Sequence, residues 1–329
     1  MKYPFAGVFL WIAATGVLYG VSSQGGYTDS IPPFGPLRCD LGDYALFLPS
    51  NYDEDSKEYL VELVSDVALG LISRFGPVNK APFQLVVVNT REQLEKWVGG
   101  TLPDWIHAVA LERPSRVVIL GPGTDVADPS RHNFEQALLH ELTHVYLYSL
   151  APHRGTGPFP GWFHEGLAVH ISSGLDRGMH RAIVRGRLTR SFYTLAELER
   201  IYHRSSDLSE LAYAQSVVAV QSMEQFYGEG IFRFLFDELR MNGTFESAFM
   251  RAADESLSVF KNRYQQELFR RYNLLLVLAD PLVWFILLPI LVLLAYFIRL
   301  WRNRIIKARW RQELAALESH TTERIDPNE

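Results

Sequence analysis

The chain of 329 residues is 48% hydrophobic and 21% charged, with 32 Lys and Arg against 37 Asp and Glu and a formal net charge of −5. This holds enough apolar material for one large or two small domains and excludes disordered, collagen and coiled-coil classes, while the acidic balance excludes nucleic acid as the main partner. The single cysteine, Cys39, rules out an intramolecular disulfide and a cysteine-rich metal knot, so any metal falls to His and carboxylate ligands.

Residues 1–23 read as a signal peptide or signal anchor. No charge stands between Lys2 and Asp29, and the stretch from Val8 to Val21 is apolar throughout. Val21 and Ser23 suit cleavage before Gln24. Residues 24–37, QGGYTDSIPPFGPL, read as an extended linker rich in turn formers, and a folded extracytoplasmic domain is expected over 38–272. Its first elements are a strand over 44–48 and a helix over 52–75, with Leu60, Leu63, Val64, Val67 and Leu71 at helical spacing before Gly76-Pro77. A buried-type strand over 83–88, a short helix over 91–98 and a strand over 116–120 follow. Cys39 is expected to be an ordinary buried thiol. After residue 128 the pattern is helical nearly throughout, which makes the fold class α+β.

Asp128 and Pro129 form a helix-start signature for a helix over 130–150. Within it stands His140-Glu141-Leu142-Thr143-His144. Positions i and i+4 share a helix face, so both imidazoles can address one ion. Zn²⁺ suits the pair because it is tetrahedral, accepts N and O ligands and has no redox demands. Glu141, beside the first ligand, is placed to take a proton from zinc-bound water. The metal lowers the pKa of that water to about 7 and polarises the carbonyl under attack. Leu138, Leu139, Leu142, Val145, Tyr146 and Leu147 around the motif make this a largely buried helix, and buried histidines need partners.

A catalytic zinc site uses three protein ligands and keeps a fourth position open. Leu147 and Leu150 stand where a metzincin carries Gly and His, which excludes that family. A second, proline-started helix carries Trp162-Phe163-His164-Glu165-Gly166-Leu167-Ala168. This W-x-x-E-G-x-A pattern, some 20 residues after HExxH, resembles the third-ligand segment of the gluzincins, the clan of thermolysin and aminopeptidase N. The resemblance implies Glu165 as the third ligand of Zn²⁺, with His164, His153 and His170 as rivals.

Further on, Leu211-Ala212-Tyr213-Ala214-Gln215-Ser216, a long helix through Gly228 and a helix beginning Phe245-Glu246-Ser247-Ala248-Phe249 resemble the bacterial MA-like peptidase superfamily. The resemblance covers roughly 40–270 and implies a thermolysin-like, or gluzincin-like, catalytic domain with a small sheet followed by a mostly helical part. It also implies that Tyr213 stabilises the tetrahedral oxyanion; a core tyrosine is the other reading of that residue. The strand over 116–120 is expected to be the edge strand that pairs with extended substrate. Two features depart from the family. Val169 stands where thermolysin-like enzymes place a carboxylate that orients a zinc histidine, and there is no G-A-M-E-N segment to grip a free amino group, which favours an endopeptidase over an exopeptidase.

Residues 274–298 read as a transmembrane helix. The 18 uncharged residues of 281–298 span about 27 Å at about 1.5 Å per residue, near the hydrocarbon thickness of a bilayer. Arg299, Arg302, Arg304, Lys307, Arg309 and Arg311 follow without an acid among them, so residues 299–329 form a cytoplasmic tail by the positive-inside rule. The basic start of the tail is expected to lie against the anionic inner leaflet. The sequence thus points to a membrane-anchored zinc metallopeptidase with a peptide or protein substrate. The competing readings are a zinc-stabilised binding or chaperone-like ectodomain without activity, and a zinc amidase acting on a non-protein amide.

Overall fold

A mixed five-stranded sheet is built first, and the helices that carry the chemistry follow it. The computed structural model describes residues 34–102, 106–112, 115–121, 130–150, 159–204, 210–241, 243–272 and 281–322. The signal segment over 1–23, the first part of the linker and the 128–129 helix start lie outside the described residues. The strands are β1 (Phe34–Cys39), β2 (Gly42–Phe47), β3 (Phe83–Val88), β4 (Ala108–Leu111) and β5 (Arg116–Leu120), in the spatial order β1-β2-β3-β5-β4. β2, β3 and β5 run parallel, and β1 and β4 are antiparallel to their neighbours.

Two sequence expectations change here. The last four residues of the expected linker, Phe34 to Leu37, belong to β1. Pro36 is tolerated because β1 is an edge strand whose register shifts between Phe34 and Leu37. The strand over 116–120 is not an edge: β5 lies between β3 and β4, which accounts for its buried Val117, Val118 and Ile119. The edge strand on that side is β4, AVAL, an element too short to stand out in the sequence, with Ala108, Val109 and Ala110 buried. Cys39 is half-buried rather than buried.

The helices of this first compact unit, Met1–Arg270, are α1 (Glu54–Phe75), α2 (Arg91–Val98), α3 (Ser130–Leu150), α4 (Gly161–Ser172), α5 (Arg177–Thr189), α6 (Leu195–Arg204), α7 (Glu210–Tyr227), α8 (Ile231–Arg240), α9 (Phe245–Ala253) and α10 (Leu257–Arg271). In α1, Asp53 caps the amino end by accepting from the Ser56 N–H, and Leu60, Val64, Ala68, Leu71 and Phe75 form its buried stripe. Its carboxyl end is tied to two other helices. The Tyr146 hydroxyl of α3 donates to the Gly76 carbonyl (3.1 Å), and Arg240 of α8 donates to the Phe75 carbonyl (3.0 Å) and to Tyr146 (3.2 Å). These bonds satisfy carbonyls that a helix end leaves open, and they fix α3 along its length.

The core of the helical part is aromatic. Phe75, Tyr146, Phe159, Trp162, Phe163, Phe236 and Phe245 form a connected set with centroid separations of 4.9 to 6.2 Å. Trp162 and Phe163 place α4 in the middle of it. Gly166, one turn on from Trp162, meets α7 so closely that an added Cβ would lie 2.5 Å from the Ser216 carbonyl oxygen. The absence of a side chain at Gly166 therefore sets the spacing of these two helices.

The second unit, Arg271–Glu329, contains one described helix, α11 (Pro281–Thr322). It is long and apolar enough to cross a membrane, and Trp284, Phe285, Ile286 and the residues that follow are exposed. The helix continues without a break into the basic segment, because no Gly or Pro stands between Ile290 and Thr322. At about 1.5 Å per residue it measures about 63 Å, twice the hydrocarbon thickness. The basic segment thus continues the same helix as the apolar one, with Pro289 inside the apolar part.

Two glycine substitutions test this packing. Gly166→Ala is expected to cost about 1–3 kcal/mol or more, since a backbone carbonyl cannot step aside. Gly70→Ala, on the exposed face of α1 with open space around it, is expected to stabilise by about 0.8–1 kcal/mol through helix propensity. Denaturant unfolding of the two variants gives opposite signs if the packing is as described.

Candidate metal centre

α3 is buried around its whole circumference in the segment that matters: Leu138, Leu142, Val145, Tyr146 and Leu147 are at most 2% exposed. His140 and His144, one turn apart, are carried inward with it, and both are fully buried. Their Nε2 atoms face each other at 3.0 Å. α4 supplies the third group. Its first N–H, on Gly161, is satisfied by the Glu199 carboxylate of α6 at 2.7 Å, an anion placed at a helix amino end. One turn further on, Glu165 directs Oε2 towards His140 and His144, at 3.9 and 3.8 Å. Ligand atoms of the three residues all lie within 4.8 Å of one another.

The donor set fits a tetrahedral ion. Bonds of about 2.0–2.1 Å place ligand atoms about 3.3 Å apart in a tetrahedron, and the observed separations of 3.0, 3.8 and 3.9 Å bracket that value. Burial, followed by the neighbouring His164, lowers His140 to about 3. Burial also takes His144 well below the ordinary range, with His164 and His140 adding to it. Both rings are therefore neutral, the form in which imidazole binds metals. As Nδ1–H tautomers, both present Nε2 lone pairs to the space in front of Glu165.

Glu141 is fully buried next to His140. Burial raises its carboxyl well above the usual range, the Glu165 charge raises it further, and the Ala110 backbone of β4 pulls in the opposite direction. The β-ladder explains why Ala110 can do this. His107 accepts from the Leu120 N–H, so alternation along the antiparallel pair turns the peptide groups of Ala108 and Ala110 towards the outer edge.

The other sequence candidates are distributed as follows. His164 is not among the converging ligand atoms. Its ring lies flat against His144, with centroids 4.4 Å apart and an 8° interplanar angle. His170 lies further along α4 and bonds Glu224 of α7 at 2.8 Å, with Arg74 of α1 on the other Glu224 oxygen at 3.0 Å. His153 falls outside the described residues. Tyr213 is fully buried on α7, the helix packed on Gly166. A phenol that sequence reading missed, Tyr148, is half-buried, and its ring is 6.4 Å from that of His144 and 5.1 Å from that of His164. Burial and the Glu165, Glu112 and Glu141 charges hold Tyr148 well above the usual phenol range, hence neutral. Its signal was present in the sequence, since residue 148 repeats the i, i+4 step from His140 to His144.

A helix-borne imidazole pair completed by a carboxylate from the next helix, beside a small mixed sheet, defines the gluzincin-like class. Residues 65–269, more than half of the chain, match the family model of the Peptidase MA superfamily, and the chain belongs to that superfamily. An uncharacterised protein of Bacillus subtilis (strain 168), YhcO, is 23% identical over 203 residues, which is 58% of this chain and 59% of that protein. Among solved structures, an M1 zinc metallopeptidase from Deinococcus radiodurans is similar with a TM-score of 0.41 and 14% identity, and a mutant of the enzyme with 0.40 and 15%. Each match covers 73% of this chain and 50% of the other. The chain thus spans about half the length of the solved proteins it resembles.

The link from His170 to Glu224 and Arg74 ties α4, α7 and α1 together behind the centre and gives a pH signature. Glu224 is held below its ordinary value of 4.5, chiefly by the His170 hydrogen bond. A depressed folded-state value means that the stabilisation is complete above the unfolded value and is lost as pH falls through the folded one. Glu224→Gln is expected to melt below wild type at about pH 6, with the gap closing towards about pH 3. A gap independent of pH in thermal melts would contradict this.

Proposed function

We propose that the protein is a membrane-anchored zinc metallopeptidase that hydrolyses peptide bonds, acting as an endopeptidase on extended chains. The observation that carries the reading is the buried convergence of His140, His144 and Glu165 with Glu141 beside them. His140, His144 and Glu165 hold Zn²⁺ in this reading, which leaves the fourth position for the reacting groups. Bound there, the ion supplies Lewis acidity that polarises a carbonyl and acidifies water. Glu141, buried beside His140, takes the proton from the attacking water and passes it to the leaving amine. Tyr213 is the oxyanion donor implied by family resemblance; Tyr148 is its rival, supported by its ring contacts with His144 and His164. α11 anchors the domain, with the basic segment on the cytoplasmic side and the peptidase domain outside.

Extended substrate is assigned to the outer edge of β4, by main-chain pairing with Ala108 and Ala110, which are buried and have to be uncovered for it. The proximity of the Ala110 backbone to Glu141 supports that choice, because it brings a paired chain alongside the base. The second reading, a zinc-stabilised binding ectodomain without activity, draws on the complete burial of all four site side chains.

Metal analysis and one substitution separate the two. Purified protein is expected to hold one zinc per chain, and Glu141→Gln to keep the zinc while losing about 10²–10⁴-fold in peptide hydrolysis. Less than half a zinc per chain removes the ligand assignment. Full zinc with no cleavage of a diverse peptide library by wild type favours the binding ectodomain.

The edge assignment has its own test. Ala110→Pro deletes one outward N–H from a strand whose edge position tolerates proline. It is expected to lower kcat/KM on extended peptides at least about tenfold, the equivalent of a hydrogen bond of about 1.4 kcal/mol, with zinc content unchanged. Unaltered kcat/KM would move the substrate off β4.

A further inference from the structure

Metal binding and water activation account for His140, Glu141, His144 and Glu165, and leave one buried polar side chain at the centre without a use. His164 is 6% exposed, and neither Nδ1 nor Nε2 has a hydrogen-bond partner. Buried polar groups in native proteins are nearly always partnered. The position of His164 shows what it serves. One ring face covers the imidazole of His144 in a parallel stack, and Nδ1 points towards Oε1 of Glu165, 3.9 Å away. Glu165 turns its other oxygen, Oε2, towards His140 and His144. Tyr148 packs on the His164 ring in turn, with centroids 5.1 Å apart.

Metal-ligating side chains are normally oriented by outer partners that fix ring planes and hold the oxygen not used for binding. The helix offers no such group one turn beyond Glu165, where Val169 is apolar and buried. A ring lying flat on His144 also stands beside the centre rather than across it, so its lone pairs do not converge with those of the ligands. We propose that His164 is the positioning residue of the metal centre: it fixes the plane of His144 by stacking and donates Nδ1–H to Oε1 of Glu165, leaving Oε2 for the ion. The two atoms stand 3.9 Å apart, about 1 Å beyond hydrogen-bonding distance, so the proposal requires one of the two side chains to shift when the ion binds. The assignment rests on the zinc reading above and names the orienting group in that site.

The test uses the full chain and reads metal binding directly. Zinc affinity is measured by competition with a chromophoric chelator, and the ligand field by the absorption spectrum of the Co²⁺-substituted protein. His164→Phe keeps the stack and removes the donor; His164→Gln restores a donor. His164→Phe is expected to weaken zinc binding about 10–100-fold and to shift the cobalt bands, with His164→Gln recovering most of the affinity. Wild-type affinity and an unshifted spectrum in His164→Phe overturn the proposal, as does equal weakening in both variants that follows a matching loss of thermal stability in the metal-free protein. Glu165→Gln separates this failure from that of the zinc reading. If it abolishes binding while His164→Phe does not, only the positioning role falls; if wild type holds no zinc, the metal reading falls and the positioning role with it.

Discussion

The structure is organised around one constraint: two imidazoles and two carboxylates are held, fully buried, in a largely apolar helix layer. Burial of a carboxylate without compensation is costly, and the raised value of Glu141 is the local expression of that cost. A cation between His140, His144 and Glu165 would relieve it, because the donors already face a common space. The scaffold therefore has to hold those donors at fixed separations against their own preference for water.

The surrounding elements meet that demand from several sides. α3 is held near its carboxyl end by Tyr146, whose hydroxyl bonds the end of α1 and accepts from Arg240. α4 is held by Trp162 and Phe163 in the aromatic core and by Glu199 at its first N–H. Behind the centre, Glu224 ties α4 to α7 and α1 through His170 and Arg74. Rigid elements keep catalytic geometry better than loops do, and all four residues of the centre lie on helices.

Much of this was legible in the residues, and the exceptions have physical causes. The bounds of β3, α2, β5 and α3 follow from apolar runs closed by Gly, Pro and capping residues. β4 was not visible because four residues carry too little period to stand out. β1 was hidden by Gly35 and Pro36, which signal a linker unless the strand lies at an edge. In the site, His140 and His144 were legible because helical spacing puts i and i+4 on one face, whereas Glu165 came from the resemblance of W-x-x-E-G-x-A to the gluzincin segment. The stack of His164 on His144 was not legible, since it depends on how two helices cross.

The W-x-x-E-G-x-A segment can now be read as one physical unit. Trp162 fixes the rotation of α4 by filling the aromatic core, and three residues later the same rotation brings Glu165 to face α3. Gly166 and Ala168 lie on faces that permit no larger side chain, Gly166 against the Ser216 carbonyl and Ala168 fully buried. Gly166 lets α7 come close to α4, the helix that carries Glu165. A change at Gly166 would therefore act on the metal centre through helix spacing rather than through any contact with the ligands.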